Sequence, residues 1–274
     1  MQALSLLAAS VSSTASEAAS GSGGSSGLQA FFEDVGKRFY NTFIVEDRWR
    51  DFLDGLKITV QITVFAALLG IAIGFLVAMV RSTYDLTLQK KKCKNIGDVF
   101  LKIINAICSL YITVIRGTPV VIQILIMANI VFASWRANQS NMIIIAILSF
   151  GINSGAYVAE IVRSGIMSID KGQFEASRSI GFNYTRTMVY VIMPQAIKNI
   201  LPALGNEFIV LVKETSVAGY IAIMDLTRVG ESVISKSYDA YFPLISVAVF
   251  YLIIVLIFQF FLRKLERRLR KRDH

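Results

Sequence analysis

Apolar residues in this chain gather into runs, and each run can be tested against the roughly 20 residues a helix needs to cross a bilayer. The first, from Ile58 to Val80 ("ITVQITVFAALLGIAIGFLVAMV"), has Gln61 as its one strongly polar side chain and is closed by Arg81. The second stretches from Ile103 to Ala133. Its length as a helix would be about 46 Å, against about 30 Å for a hydrocarbon core. Arg116-Gly117-Thr118-Pro119 interrupts it, so the pattern predicts a span over 118–134, with the preceding residues at an interface and Trp135 anchoring the far end. A third run, Met142 to Val162, carries Asn153, Ser154 and Glu160 in its second half. The fourth, Ile192 to Glu214, holds Pro194 and Pro202, Lys198 and Lys213, Asn199 and Asn206, and Glu207 and Glu214. A helix facing lipid carries such groups only at high cost, so this span is predicted to face protein or an aqueous path. The fifth, Phe242 to Leu262, is apolar throughout except for Ser246 and Gln259.

Outside the runs the chain divides further. Residues 1–27 are small, polar and rich in Gly and Ser, and are predicted to form a disordered or leader-like extension. Residues 28–52 read as an external interfacial segment, with Tyr40, Trp49 and Phe52 of the types found at membrane surfaces. A transmembrane unit over 53–264 follows, then a basic tail over 265–274. Between spans three and four, "KGQFEASRS" has helix-compatible spacing. A short helix over 173–181 is predicted there, with Gly181 ending it in the left-handed conformation.

Composition supports a membrane chain: 54% of the 274 residues are hydrophobic, 17% are charged, and mean hydropathy is +0.58. The net charge of +9 has two readings, nucleic acid binding or topology. Topology fits, because the basic residues group at span ends. Residues 81–102 hold six Lys and Arg, 163–186 hold four and 263–272 hold seven, while Arg136 alone lies between spans two and three, and Lys213, Arg228 and Lys236 lie between spans four and five. The positive-inside rule then sets five spans with the N-terminus outside and the C-terminus cytoplasmic. No nucleic acid partner is expected, and the bilayer is. The two cysteines, Cys93 and Cys108, read as free thiols, and His274 is the one histidine, so no metal-ligand set is expected. No Gly-x-x-x-x-Gly-Lys-Ser/Thr occurs, so this chain is not expected to bind ATP.

The segment between spans three and four resembles the signature of ABC importer permeases: Glu-Ala-Ala, three residues, Gly, nine residues, Ile, one residue, Leu-Pro. Here Glu175-Ala176-Ser177, Gly181, Val191 and Met193-Pro194 stand at the same spacing, with Ser, Val and Met as conservative departures. Three further stretches resemble the polar amino acid branch of that family: "RGTPVVIQ" (Arg116–Gln123), "GAYVAEIVRSGIMSIDKGQFEA" (Gly155–Ala176) and "MPQAIKNILPALGNEFIVLVKETSVA" (Met193–Ala218). The resemblance implies an all-α membrane protein of the type I ABC importer permease fold, in a bacterial cytoplasmic membrane. It implies a second permease subunit, identical or similar, an external solute-binding protein, and a cytoplasmic ATPase that carries ATP and Mg. The short helix would then be a coupling helix, with Gln173, Glu175, Ala176, Ser177, Gly181 and Pro194 at or near the contact. The residues alone also allow an ordinary amphipathic surface helix.

Polar groups inside spans are the candidates for the solute path: Asn153, Ser154, Glu160, Asn206 and Glu207. Glu160 has a second reading as the partner of Arg163, three residues away. Glu207 can receive a substrate ammonium or stabilise a subunit interface. Arg116 reads as a snorkelling interface residue or a solute contact. Lys213, Glu214, Thr215 and Ser216 are candidates for an external gate. The function expected is uptake of a small polar amino acid by alternating access. The alternatives are another small polar solute, opine or cystine-like, or an ATP-independent carrier or channel.

Overall fold

The computed structural model describes residues 24–88, 95–135 and 138–270, and among these every regular element is helical. Helix α1 is Gly24–Phe39, and a π turn and a 3-10 turn lead into α2, Arg48–Thr87. Helix α3 is Ile96–Gly117, and α4, Val120–Ile126, continues through a π turn to Val131. Helix α5 is Gln139–Met167, α6 is Lys171–Ser179 and α7 is Tyr184–Thr187. Helix α8 is Met193–Glu214, α9 is Leu226–Ser237 and α10 is Tyr241–Arg270.

Helix α5 is the centre of the bundle: 67% of its most apolar window is buried, against 11% for α3 and 17% for α10. Its main partner is α2, and the reason lies in small residues. Helix α2 carries Gly70 and Gly74, and α5 carries Gly151 and Gly155, each pair one turn apart. A Cβ on Gly70 would stand 3.0 Å from Ser154 Cβ, and one on Gly74 would stand 2.5 Å from Val158 and 2.8 Å from the Gly155 carbonyl. A Cβ on Gly151 would meet Leu69 at 2.6 Å. In lipid there is no hydrophobic gain from helix pairing, so this close backbone approach is what holds the two helices. Ala66, Ala78 and Ala146 are buried along the same seam, and Ala156 and Ala159 are buried against Ile112 of α3.

Several boundaries differ from expectation. Residues 1–23 lie outside the described residues, but Gly24 to Gly27 form the first turn of α1, so the predicted 1–27 extension is too long at its C-terminal end. Of the residues named in the 28–52 segment, Tyr40 and Trp49 are exposed, but part of the segment packs on the bundle. Phe52 is 1% exposed and stacks on Phe250, Phe39 and Phe43 meet Phe242, and Arg38 pairs with Asp239 at 3.0 Å. Aromatic rings carry this packing. Helix α2 also begins before residue 53, at Arg48.

The second span is the largest correction. Residues 96–117 form a 22-residue apolar helix of their own, whereas 118–134 divides into α4, a π turn and a 3-10 turn. Val120–Val131 is about 18 Å long, too short for a crossing without α3. Arg116 stands about 30 Å along α3 from Ile96, so it does not sit at that helix's starting interface. Among the described residues, four helices have the length and composition to cross a membrane. Helix α8, with 22 residues, has the length without the composition. The short helix predicted over 173–181 occupies Lys171–Ser179, and α10 runs through most of the basic tail to Arg270.

Two outcomes follow from the packing. Gly74→Ala forces Val158 and the Gly155 carbonyl apart and is expected to cost about 1–3 kcal/mol. Thermal unfolding in detergent reads this as a lowered Tm, partly recovered by adding Val158→Ala; an unchanged Tm refutes the close packing. Asp225 caps α9, accepting from Thr227 N at 3.1 Å and Arg228 N at 3.2 Å, and is fully buried. Burial pushes its carboxyl up from 3.8 to about 6, against the lowering effect of those bonds. The folded state therefore holds this proton more tightly than the unfolded state, and the associated stability is lost as pH rises from about 4 through about 6. Asp225→Asn keeps an acceptor at the cap and should remove that slope from a Tm-against-pH series.

Candidate functional site

A polar seam runs down α5 from Asn153. Asn153 is buried, and its Nδ2 donates to Gln123 Oε1 at 2.9 Å. Gln123 lies on α4, just past the break between α3 and α4. Thr118 and Pro119 are extended there, and Pro119 has no N–H, so carbonyls at the end of α3 lose their helical donors. Gln123 Nε2 fills the gap, lying 2.7 Å from the Ile115 carbonyl oxygen and 2.8 Å from Thr118 Oγ1. One amide thus closes the broken helix and ties it to α5. One residue on, Ser154 Oγ donates to Glu207 Oε1 on α8 at 3.0 Å. Tyr111 of α3 adds a third tie, donating to the Ile152 carbonyl at 2.5 Å.

Farther along α5, Arg163 donates to Glu160 at 3.0 Å and to Asp85, near the end of α2, at 3.0 Å. The Glu160–Arg163 pairing weighed from spacing is present, and Asp85 extends it to a second helix. Arg116 lies with its guanidinium carbon 5.1 Å from the Tyr157 ring centroid. Arg116, Tyr157, Glu160, Ser164, Ser168, Asn199 and Ala203 line an open cleft of about 580 Å³ between α3, α5 and α8. Asn206 is exposed on α8, away from the Ser154–Glu207 contact.

Helix α6 is fixed at both ends. Asp170 accepts from Gly172 N at its start. At its end Gly181 has φ +89°, Gly181 N donates to Arg178 O at 3.0 Å and Phe182 N donates to Ser177 O at 3.1 Å, which together make a Schellman cap. Its outer face presents Gln173, Glu175 and Ala176, with Gly181 exposed beyond it. Ser177 is buried and donates to the Gln173 carbonyl at 2.6 Å. Phe174 points inward, meets Tyr184 edge-on and packs on the cluster of Ile166, Met188 and Ile192. Tyr184 Oη donates to Thr83 Oγ1 of α2 at 3.1 Å. Pro194 opens α8 at the other end of this loop. The helix is therefore exposed outward and bolted inward to α2, α5 and α8.

The four residues at the far end of α8 separate. Lys213 is exposed and Glu214 half-buried, while Ser216 lines a small cleft with Arg228 and Glu231. Thr215 sits in the core, donating to the Val212 carbonyl at 2.7 Å and lying 3.5 Å from Thr63 Oγ1, so it does not face a mouth in this conformation. Sequence reasoning missed Gln123, Asp85 and Tyr157. The first was legible as a lone polar residue in an apolar run. The other two required knowing which helices meet. Cys108 is a free thiol, and Cys93 lies outside the described residues. Among the described residues no cluster of His, Cys, Asp or Glu suits a metal.

Comparison with known proteins gives this arrangement a family. The pattern of the family described as "Binding-protein-dependent transport system inner membrane component" matches residues 99–271. The chain belongs to that family. This permease is 36% identical over 218 residues to the glutamine transport system permease protein GlnP of Escherichia coli strain K12, covering 80% of this chain and 92% of that protein. It is 33% identical over 219 residues to the putative glutamine transport system permease protein GlnP of Rickettsia prowazekii strain Madrid E, covering 79% of this chain and 92% of that protein. Among solved structures, an amino acid ABC transporter crystallised with histidines matches with a TM-score of 0.70 and 38% identity, covering 82% of this permease and 98% of that chain. The fold alone is shared with the MetNI methionine ABC transporter, at a TM-score of 0.65 and 20% identity, over 80% of this permease and 95% of that chain.

Proposed function

We propose that this chain is the membrane-spanning permease of an ABC importer for a polar amino acid in a bacterial cell membrane. The observation that carries the reading is α6. It is a capped, outward-facing helix held between two long helices, in a chain whose family is the inner membrane component of binding-protein-dependent transport. Relatives named for glutamine transport, and a solved relative named as an amino acid ABC transporter, support the solute class.

On this reading the chain crosses the membrane five times, with α3 and α4 together making the second crossing and α8 the fourth. The N-terminus is outside and the C-terminus cytoplasmic, in line with the Lys and Arg grouping. A separate cytoplasmic subunit binds ATP and Mg and hydrolyses the nucleotide; this chain performs no catalysis. A second permease, identical or similar, covers the exposed stripe of α8 that carries Asn206. An external solute-binding protein delivers the amino acid to the end of the bundle near Lys213 and Ser216. Ser154 and Glu207 then stand at the middle of the path, with Asn153 acting behind them through Gln123.

The inward attachments of α6 explain how a push travels. Phe174 and Tyr184 are packed against α2 and α8, so displacement of α6 displaces both, rather than bending a loose loop. Rocking of helices about a site near the midplane gives alternating access, by analogy with secondary transporters.

Glu175→Lys tests the docking role. Glu175 is exposed, so its replacement should change stability by no more than about 0.5 kcal/mol. Co-purification of the ATPase and ATP-driven uptake into proteoliposomes should both fall sharply. Gly181→Trp should do the same, because a tryptophan does not tolerate φ +89° and the helix end must reorganise. Unchanged association and uptake in both variants would remove α6 from the coupling mechanism.

A further inference from the structure

Two polar groups meet where the end of α2 passes the start of α3, and neither is satisfied there. Arg81 of α2 is half-buried, its Nε is shut off from solvent without a hydrogen-bond partner, and among the described residues no carboxylate pairs with it. Asp85, one turn on, is already committed to Arg163. The Arg81 guanidinium reaches α3, close enough to the Cys108 thiol to act on it electrostatically. Asn105 is one turn before Cys108 on the same flank, and its Oδ1 is buried and accepts no hydrogen bond. Lys102, one turn earlier again, is exposed and adds a second cation. Buried polar groups are normally paired, so a donor and an acceptor left open together point to a ligand that carries both. Their depth says which kind. Arg81 follows Val80, the last residue of the first apolar run, and Lys102 precedes Ile103, the first of the second. That level is the edge of the hydrocarbon core, where phospholipid headgroups lie. The most apolar window of α3 is only 11% buried in protein, which leaves this flank open to lipid. The Lys and Arg of 81–102 put this edge on the cytoplasmic side.

We propose that the groove between α2 and α3 holds one inner-leaflet phospholipid, an anionic lipid whose headgroup carries hydroxyls, as phosphatidylglycerol does. Arg81 takes the phosphodiester in charge-assisted bonds with Lys102 beside it, and a headgroup hydroxyl donates to Asn105 Oδ1. Phosphatidylethanolamine offers a donor but no net charge to the two cations. Free phosphate lacks the acyl chains that lie along the exposed Ile103 and Ile107. The bound lipid ties the lightly buried α3 to α2, and the site is separate from both the solute path and the docking helix α6.

The test reads which lipid stays bound. The full chain, with the subunits that purify with it, is equilibrated in mixed micelles with equal amounts of phosphatidylglycerol, phosphatidylmethanol, phosphatidylethanolamine and phosphatidylcholine, and retained lipids are counted by native mass spectrometry. The wild type should retain phosphatidylglycerol at least about tenfold over the two zwitterionic lipids, the effect of one charge-assisted pair. It should also retain it severalfold over phosphatidylmethanol, which is anionic but has no headgroup hydroxyl. Arg81→Gln should bring the preference over the zwitterionic lipids close to one, while Arg81→Lys keeps part of it. Asn105→Leu should abolish only the preference over phosphatidylmethanol. Arg267→Gln, on the exposed basic end of α10, should alter neither preference. Ratios are the readout because a merely destabilised protein loses all four lipids alike. Equal retention by the wild type, or a wild-type preference surviving in Arg81→Gln, overturns the site. Displacement by millimolar inorganic phosphate overturns the lipid in favour of a free anion. A loss in Arg267→Gln as large as in Arg81→Gln overturns the groove in favour of diffuse attraction to the basic surface.

Discussion

The approach of α2 to α5 through facing glycines is the constraint on which the other features depend. Gly70 and Gly74 on one helix and Gly151 and Gly155 on the other remove the side chains that would separate the backbones. Membrane helices gain nothing from hiding apolar surface from lipid, so dispersion contact at short range must supply the association. The consequence is geometric. Once α2 lies along α5, Asp85 arrives beside Arg163 and Thr83 arrives beside Tyr184. The inward attachments of α6 exist because this seam is in register.

A second constraint is that backbone polar groups need partners where water is scarce. The chain breaks between α3 and α4 at Thr118-Pro119 and repairs the break with Gln123. The repair costs a polar side chain in an apolar run, and Asn153 satisfies that side chain in turn. What the break provides is a helix end with Arg116 on it and a cleft beside it. In α8, which runs unbroken through Pro202, the buried-side polar group Glu207 is likewise met, by Ser154.

The clean spans were legible because an uninterrupted apolar run of about 20 residues fits a membrane crossing and little else. Gly181 was legible for a different reason: a single glycine after a short polar helix is a local signal, and the Schellman cap needs no distant partner. The division of 103–133 was not legible. Hydropathy shows that a break exists at Arg116 but does not show which side of it forms the full-length helix, and α3 draws on residues before 103 that look unremarkably mixed. Asp85 and Tyr157 escaped notice because their partners lie 78 and 41 positions away in sequence, Arg163 and Arg116 respectively. Thr215 was read from its neighbours Lys213 and Glu214 as part of a mouth, yet its methyl and hydroxyl pack into the core beside Thr63. Polar residues reveal that a span has a purpose; only the packing reveals which way each one faces.

Coupling to an ATPase requires α6 to lie on the cytoplasmic face and to be covered there by that partner. With both native cysteines replaced by serine, a single cysteine is placed at Ser179, on the exposed face of α6. A membrane-impermeant maleimide should leave it unlabelled in intact spheroplasts and label it in inverted vesicles, and adding the nucleotide-binding partner should protect it from the reagent. Labelling from the outside of intact spheroplasts, or full reactivity in the assembled complex, would contradict the assignment of α6 as the cytoplasmic docking helix.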